Sequence, residues 1–331
     1  MIIIRKKLHR VIPYRIVLWP TEATLKELAD GLPWAEAARV EGTNVGLETG
    51  RCIVSSFLSL TLVLDLRRGP DRLYRDLITN ARIRIHKAEK LGKRIGIRRY
   101  VEGADNDRLI DDFVSLYHQA IGGRNETMFP ISRQLARSYF PTADLTVVDL
   151  DGKPICGHLN LLDREAGISR LEYSASRRFD DPETRRLAGI LNVYLHWYEI
   201  LKYCEEGLAS YDFGGIGGAD DNVGVNRFKL QFGGAIIREH NYILAGMPSL
   251  WRAVSDGFET MTVRGRRRRL LRMAGERWRD MEPDRIGDVI RTSVEEYERR
   301  LAQAAYHNGN GAEAPRAAQT ADENRIAGPS E

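Results

Sequence analysis

The segment LTVVDLDGKPICGHLNLLD, residues 145–163, constrains the fold more than any other stretch of the chain. Two runs of β-branched and apolar residues flank Asp151-Gly152, the dipeptide that favours the left-handed backbone of a tight hairpin turn. A third run, Ile168 to Ser176, extends the meander. From Thr184 to Glu206 the pattern becomes one long helix that stops at Gly207. A strand at Ser210 to Phe213 follows, then the glycine-rich GGIGG, a short helix around Val225 to Gln231, and a last strand from Ala235 to Leu244. Upstream, Leu109, Phe113, Leu116, Tyr117 and Ala120 recur at three- and four-residue steps, which predicts a helix over Asp107 to Gly122. A second helical stretch runs from Ser132 to Tyr139. The predicted order is ααβββαβαβ, a mixed α/β sheet with helices on its faces.

Residues 10 to 66 read as a smaller α/β unit, with a strand near Tyr14 to Leu18, a helix opening at Thr21 and an apolar strand through Phe57 to Leu66. The segment from Asp71 to Gly92 reads as one long basic helix. These features suggest four parts: an N-terminal half over 1–98, a second half over 99–246, an Arg-rich helical extension over 247–307, and a disordered tail over 308–331 that holds almost no large apolar residue. No repeat at fixed period is visible.

With 43% hydrophobic and 29% charged residues, the chain belongs with soluble globular proteins. Its three cysteines, Cys52, Cys156 and Cys204, are widely spaced with no CxxC, which argues against a disulfide framework and against a zinc site. The N-terminal stretch has no signal-peptide h-region, and no apolar run approaches the ~20 residues that span a bilayer. A reducing, cytoplasmic setting is expected. Net charge is only +4, yet eight arginines crowd Arg264 to Arg279 beside a single acid, Glu276. That cluster could dock on anionic lipid or tRNA, or be a solvated helix end.

The stretch YDFGGIGGADDNVGVNRFKLQFGG, from Tyr211 to Gly234, joins a strand end, a glycine turn, acids and a helix with Lys229 between Phe228 and Phe232. It resembles the signature of FemAB/FemX-like transferases and the related BioF2-like branch of the GNAT superfamily. ARIRIHKAEKLGKRI, Ala81 to Ile95, is similar to the family's basic helix, and RLEYSAS, Arg170 to Ser176, resembles its third strand. The resemblance spans roughly Asp65 to Leu244. It implies a fold of two GNAT-like halves and transfer of an acyl group from a thioester, or of an amino acid from aminoacyl-tRNA, to an amine. Peptidoglycan-type precursors are the best-known acceptors. No tightly bound cofactor and no metal is implied; acyl-CoA or aminoacyl-tRNA serves as co-substrate.

Acyl transfer to an amine needs a neutral amine, a positioned carbonyl and positive charge where the oxyanion develops. Lys229 suits the last role, and the family places a functional lysine at this position. Asp212, at the end of its strand, either orients or deprotonates the amine, or ties down the glycine turn through backbone N–H groups. Gly214 and Gly215 could let the backbone approach a substrate, or form a plain flexible loop. Tyr173 and Tyr211 are substrate-binding candidates whose alternative is a half-buried sheet tyrosine. Phe228 would line the site.

GNAT enzymes that use acetyl-CoA bind pyrophosphate at a glycine-containing loop before the central helix. Here RRFDDPETRRLAG supplies Arg177 and Arg178 but lacks the two spaced glycines, and Asp180, Asp181 and Glu183 repel phosphate. His196 and Glu199, three apart on the long helix, read as a surface pair rather than a dyad or metal site. His158 reads as a packed histidine. Two other readings stand beside the transferase: a non-catalytic binding module, and a nucleic-acid-binding protein supported only by basic segments.

Overall fold

The computed structural model describes residues 1–8, 12–47, 50–122, 131–177, 181–216 and 223–249, with isolated positions between 285 and 299. In chain order, the first elements are strand β1 (Ile2–Leu8), β2 (Ile12–Leu18), helix α1 (Glu22–Gly31), β3 (Ala37–Thr43) and β4 (Ile53–Asp65). Then come α2 (Pro70–Asp76), α3 (Thr79–Glu89), β5 (Ile95–Arg99), α4 (Asp107–Gly122) and α5 (Arg133–Arg137). The rest are β6 (Ala143–Leu150), β7 (Lys153–Asp163), β8 (Ile168–Ser176), α6 (Pro182–Glu205), β9 (Ser210–Gly215), α7 (Val223–Leu230) and β10 (Ala235–Ala245).

The hairpin forms where its turn chemistry predicts. Asp151 and Gly152 both have positive φ, and β6 pairs antiparallel with β7 from Leu150↔Lys153 outward. The third strand and the two helices before the meander also match their sequence patterns, and Ser132 caps α5 by accepting from the Leu135 N–H. Thr21 caps α1 in the same way, through the Thr24 N–H.

All ten strands join one sheet in the order β1-β2-β3-β10-β4-β9-β8-β7-β6-β5. The two expected halves therefore share a continuous sheet, with β10 set between β3 and β4 and antiparallel to both. The β4–β9 pair joins the two sides.

The single basic helix expected over Asp71 to Gly92 is instead two helices. Leu77 and Ile78 are extended between α2 and α3. Leu77 is 3% exposed in the core, and the Ile78 N–H donates to the Gln231 carbonyl, so burial and a tertiary hydrogen bond outweigh helix continuation at the break. The sequence pattern marks neither β1, β3 nor β5. β3, AARVEGT, is short and carries no clean alternation of apolar and polar residues.

Helices cover both faces. α6 and α3 pack with Leu60, Leu62, Leu64, Tyr203, Tyr211, Phe213 and Phe232 on one side. α4 and α5 pack with Leu145, Val147, Leu159 and Leu161 on the other. α1 covers β2, β3 and β10 through Leu25, Val17, Val40 and Leu244. Each large side chain so buried contributes about 1.5–3 kcal/mol. No described helix is long and apolar enough to cross a membrane. The Arg264 to Arg279 cluster, Arg178 and the 308–331 tail lie outside the described residues.

Candidate active site

β8 and β9 are parallel neighbours, but their ladder covers only Ile168↔Ser210, Ser169↔Tyr211 and Arg170↔Asp212. Past that point β8 continues along β7, and β9 continues along β4, with which it pairs from Ser210 to Gly215. The backbone edges beyond Asp212 thus face each other without a shared ladder, at the C-terminal ends of two parallel strands, where open sheets form crevices.

Side chains alternate along β9, so Tyr211 and Phe213 enter the core beneath α6 while Asp212 faces the opposite side. Asp212 is 3% exposed and takes three donors: the Gly214 N–H at 2.7 Å, the Arg170 Nε at 2.8 Å and the Thr61 hydroxyl. The Arg170 guanidinium also reaches Glu239 on β10. Burial, opposed by Arg170 and assisted by Asp212 and Glu41, pushes the Glu239 carboxyl up to about 7.

Lys229, on α7, crosses the end of β9. Its ammonium donates to the Gly214 carbonyl at 3.0 Å and to the Gly215 carbonyl at 2.6 Å. Those bonds use two of its three donors. At 9% exposure it is no solvated helix lysine, and burial lowers its pKa to about 8, against the support of Asp212 and with the repulsion of Arg170. Gly214 backs onto β8 so closely that a Cβ would stand 3.2 Å from the Leu171 carbonyl oxygen.

Lys229, Asp212, Gly214 and Gly215 are therefore one cluster. Phe228 lies on the core side of α7, its ring 5.4 Å from His196 and 5.7 Å from Phe232. Tyr173, three residues past Arg170 on β8, is half-buried, its hydroxyl 3.2 Å from that of Tyr139, and burial raises it to about 12. Arg177 follows β8 with its N–H on the Ile155 carbonyl. Tyr211 is fully buried and points away from the cluster, donating to Glu199 at 2.9 Å and meeting His196 at 2.8 Å, so its hydroxyl belongs to the core.

The expected surface pair of His196 and Glu199 is likewise buried, each 1% exposed, because their face of α6 lies on the sheet. His158 joins them, bonded to Glu199 at 3.0 Å and to Asn192 at 3.1 Å. The three side chains bring ligand-type atoms within 4.8 Å of one another. Hydrogen bonds engage Glu199 Oε2, both His158 nitrogens and His196 Nδ1, while Glu199 Oε1 is buried with no hydrogen bond among the described residues.

Arg170, Thr61 and Glu239 escaped the sequence reading. The available signal was a charge inside an otherwise strand-like run, as in AIIREHNYIL, since a charged residue at a buried position implies a partner.

The start of α6 is occupied by the protein itself. The Asp181 carboxylate accepts from the Glu183 and Thr184 N–H groups, both at 3.0 Å, and from the Thr184 hydroxyl at 2.6 Å. The amides that would hold a pyrophosphate are already capped by an anion, so this helix end does not fit that group.

Residues 75–230 match the family model of the acetyltransferase (GNAT) domain. Among solved structures, FemX is similar at a TM-score of 0.52 and 14% identity, over 76% of this chain and 86% of that one. This bears out the expected GNAT-type fold. L-PGS from Bacillus licheniformis is similar at a TM-score of 0.48 and 14% identity, over 74% and 80% of the two chains. N-myristoyltransferase from Saccharomyces cerevisiae, bound to myristoyl-CoA, is similar at 0.36 and 15% identity, over 63% and 52%. No curated protein sequence matches the chain significantly.

Proposed function

We propose, from the match of residues 75–230 to the acetyltransferase (GNAT) domain model, that the chain is an acyltransferase that acylates an amine of a cell-envelope precursor or another small metabolite. The observation that carries this reading is the buried Lys229 ammonium at the end of β9, beside the edge where the β8–β9 ladder stops.

In the transfer, the amine nitrogen bonds to the donor carbonyl carbon, the bond from that carbon to sulfur or oxygen breaks, and the amine proton leaves to the departing group or a base. Negative charge builds on the carbonyl oxygen in between. Lys229 presents its remaining ammonium donor to that oxygen, and its low exposure strengthens the interaction. Asp212, with its oxygens engaged by three donors, positions Arg170 and the Gly214 turn. Gly214 and Gly215 let the backbone of β9 lie close to the substrate, and Tyr173 and Arg177 extend the site along β8, while Phe228 packs in the core behind α7.

The donor is an acyl thioester or an aminoacyl-tRNA. Asp181 disfavours any donor pose that sets a pyrophosphate on the start of α6, which suits the tRNA alternative or a thioester held elsewhere. In this reading the enzyme works in the cytoplasm, the Arg264 to Arg279 cluster serving contact with tRNA or with the inner membrane surface.

The test is a mass-spectrometric screen of the full chain against acyl-CoAs and charged tRNAs, each with mixed amines. A mass-shifted amine from either donor class is expected, with Lys229→Ala lowering kcat about 10²- to 10³-fold, as loss of one oxyanion donor does. An unchanged kcat in that variant would remove the role of Lys229, and silence with every donor would remove the enzyme.

A further inference from the structure

Beneath α6, on the face of the sheet away from Asp212, His158 of β7 is buried with His196 and Glu199 of α6, the two imidazole centroids 4.0 Å apart. The hydrogen bonds around them assign the protons. Asn192 Oδ1, which can only accept, lies 3.1 Å from His158 Nε2 and so places that ring's proton on Nε2. Nδ1 keeps the lone pair, yet its neighbour at 3.0 Å is Glu199 Oε2, a second acceptor. Tyr211 donates its one hydroxyl proton to the same carboxylate oxygen at 2.9 Å. Its own oxygen therefore accepts from His196 Nδ1 at 2.8 Å, and the lone pair of that ring is on Nε2.

Two acceptors 3.0 Å apart in the core require a positive charge between them, carried by a second proton on the His158 ring or by a metal cation. Glu199 Oε1 separates the two cases. A proton on Nδ1 serves Oε2 alone and leaves Oε1 as it stands, buried with no hydrogen bond among the described residues, which is costly for a carboxylate. A cation set among the three side chains satisfies the carboxylate and both rings at once. The same face of the sheet carries further polar atoms of this kind. Thr146 lies directly across from His158 on β6, and Asn160 follows two residues along β7 on the same side. Both are fully buried, and Thr146 Oγ1 and both amide atoms of Asn160 also have no hydrogen bond among the described residues. Buried polar atoms are partnered as a rule, so a cluster of exceptions around two histidines and a carboxylate points to a polar occupant.

We propose that His158, His196 and Glu199 are the ligands of a buried zinc ion that joins α6 to the sheet. Each offers one ligand-type atom, and those atoms lie within 4.8 Å of one another. Bonds of about 2.0–2.2 Å to a tetrahedral centre set ligands about 3.3 Å apart, so the ion stands where the three groups already converge, and the remaining closure is within reach of side-chain rotation. Two imidazoles and one carboxylate are a donor set that zinc accepts, with its fourth position served by a water or by the oxygen of Asn160 or Thr146. Asn192 on His158 and Tyr211 on His196 are the outer partners that hold ligand rings in orientation. All three ligands are buried, so the ion enters as the chain folds and is then retained. Through Tyr211 the site also ties α6 to β9, the strand that carries Asp212.

The test expresses the full chain in zinc-supplemented medium, removes loose metal by gel filtration, and measures metal content by mass spectrometry and the metal's surroundings by X-ray absorption. A single zinc per chain is expected, with nitrogen and oxygen neighbours at about 2.0–2.2 Å and no sulfur at about 2.3 Å. Cobalt supplied in place of zinc should give a coloured protein with ligand-field bands of low coordination number. Unfolding in urea should release the ion, and refolding with zinc should give a higher Tm than refolding with chelator. His196→Asn and Glu199→Gln should each lower the zinc content severalfold; where a variant does not fold, the absorption spectrum and refolding of the wild type decide by themselves. A folded wild type that carries no first-row metal and whose Tm is indifferent to chelator overturns the proposal and leaves a His158–Glu199 pair bridged by a proton. Zinc with sulfur neighbours, or zinc retained in full by both variants, overturns it as well by placing the metal elsewhere.

Discussion

Replacing Lys229 by methionine keeps the length of the side chain, removes its charge, and should change how stability responds to alkali. Burial lowers the lysine from its ordinary 10.5 to about 8. The folded state therefore disfavours the charged form, and the unfolded chain binds the extra proton between those two values. Stability linked to this residue is withheld below about pH 8 and recovered as pH rises to 10.5. At about 1.4 kcal/mol per tenfold change in proton affinity, the recovery amounts to about 3 kcal/mol. The methionine variant lacks this titration, while leaving the Gly214 and Gly215 carbonyls without their donor at a cost of about 1–3 kcal/mol each. Urea unfolding of both proteins across the alkaline range isolates the effect as a difference of two free energies, in which all other titrating groups cancel. The wild type should gain on the variant by about 3 kcal/mol from pH 8 to 10.5. A constant difference, or a wild type that loses ground, would refute a buried, strained-charge Lys229.

Glu239 should act in the opposite sense and in a separate window. Its carboxyl is raised from 4.5 to about 7, so its contribution is complete below 4.5 and lost on approaching 7; relative to Glu239→Gln, the wild type should fall by about 3 kcal/mol over that interval, and parallel urea curves would count against it. Tyr211→Phe strips a buried donor from Glu199 and should cost about 1–3 kcal/mol by calorimetry, with a neutral result showing that the network is not coupled to the strand. Gly42→Ala forces a methyl group onto the Trp19 ring at a positive φ, and a clear fall in Tm is expected. An unchanged Tm would mean that the indole moves aside freely.

The elements governed by local chemistry were legible in the sequence. The Asp151-Gly152 turn, the Ser132 and Thr21 caps, and the amphipathic steps from Leu109 to Ala120 each depend on neighbours within a few residues. What the sequence concealed depends on distant partners. The break at Leu77 and Ile78 exists because Gln231, some 150 positions later, accepts the Ile78 N–H. The clamp at the site was half visible: Lys229, Asp212 and the glycines share one motif, whereas Arg170, Thr61 and Glu239 come from three other strands with no shared spacing. Burial likewise hid the meaning of His196 and Glu199, since a three-residue step gives a shared helix face without saying which side that face is on.

The position of β10 bears on how the molecule is made. β3 and β4 never pair; residues 235–245 stand between them and hydrogen-bond to both. A growing chain can assemble the meander of β6, β7 and β8 as soon as it leaves the ribosome, but β1, β2 and β3 have no place on that sheet until a strand made some 190 residues after β3 has emerged. β1, β2 and β3 are thus synthesised before the strand that secures them and stay unpaired with the rest of the sheet until it arrives, an interval in which their edges are open to wrong pairing.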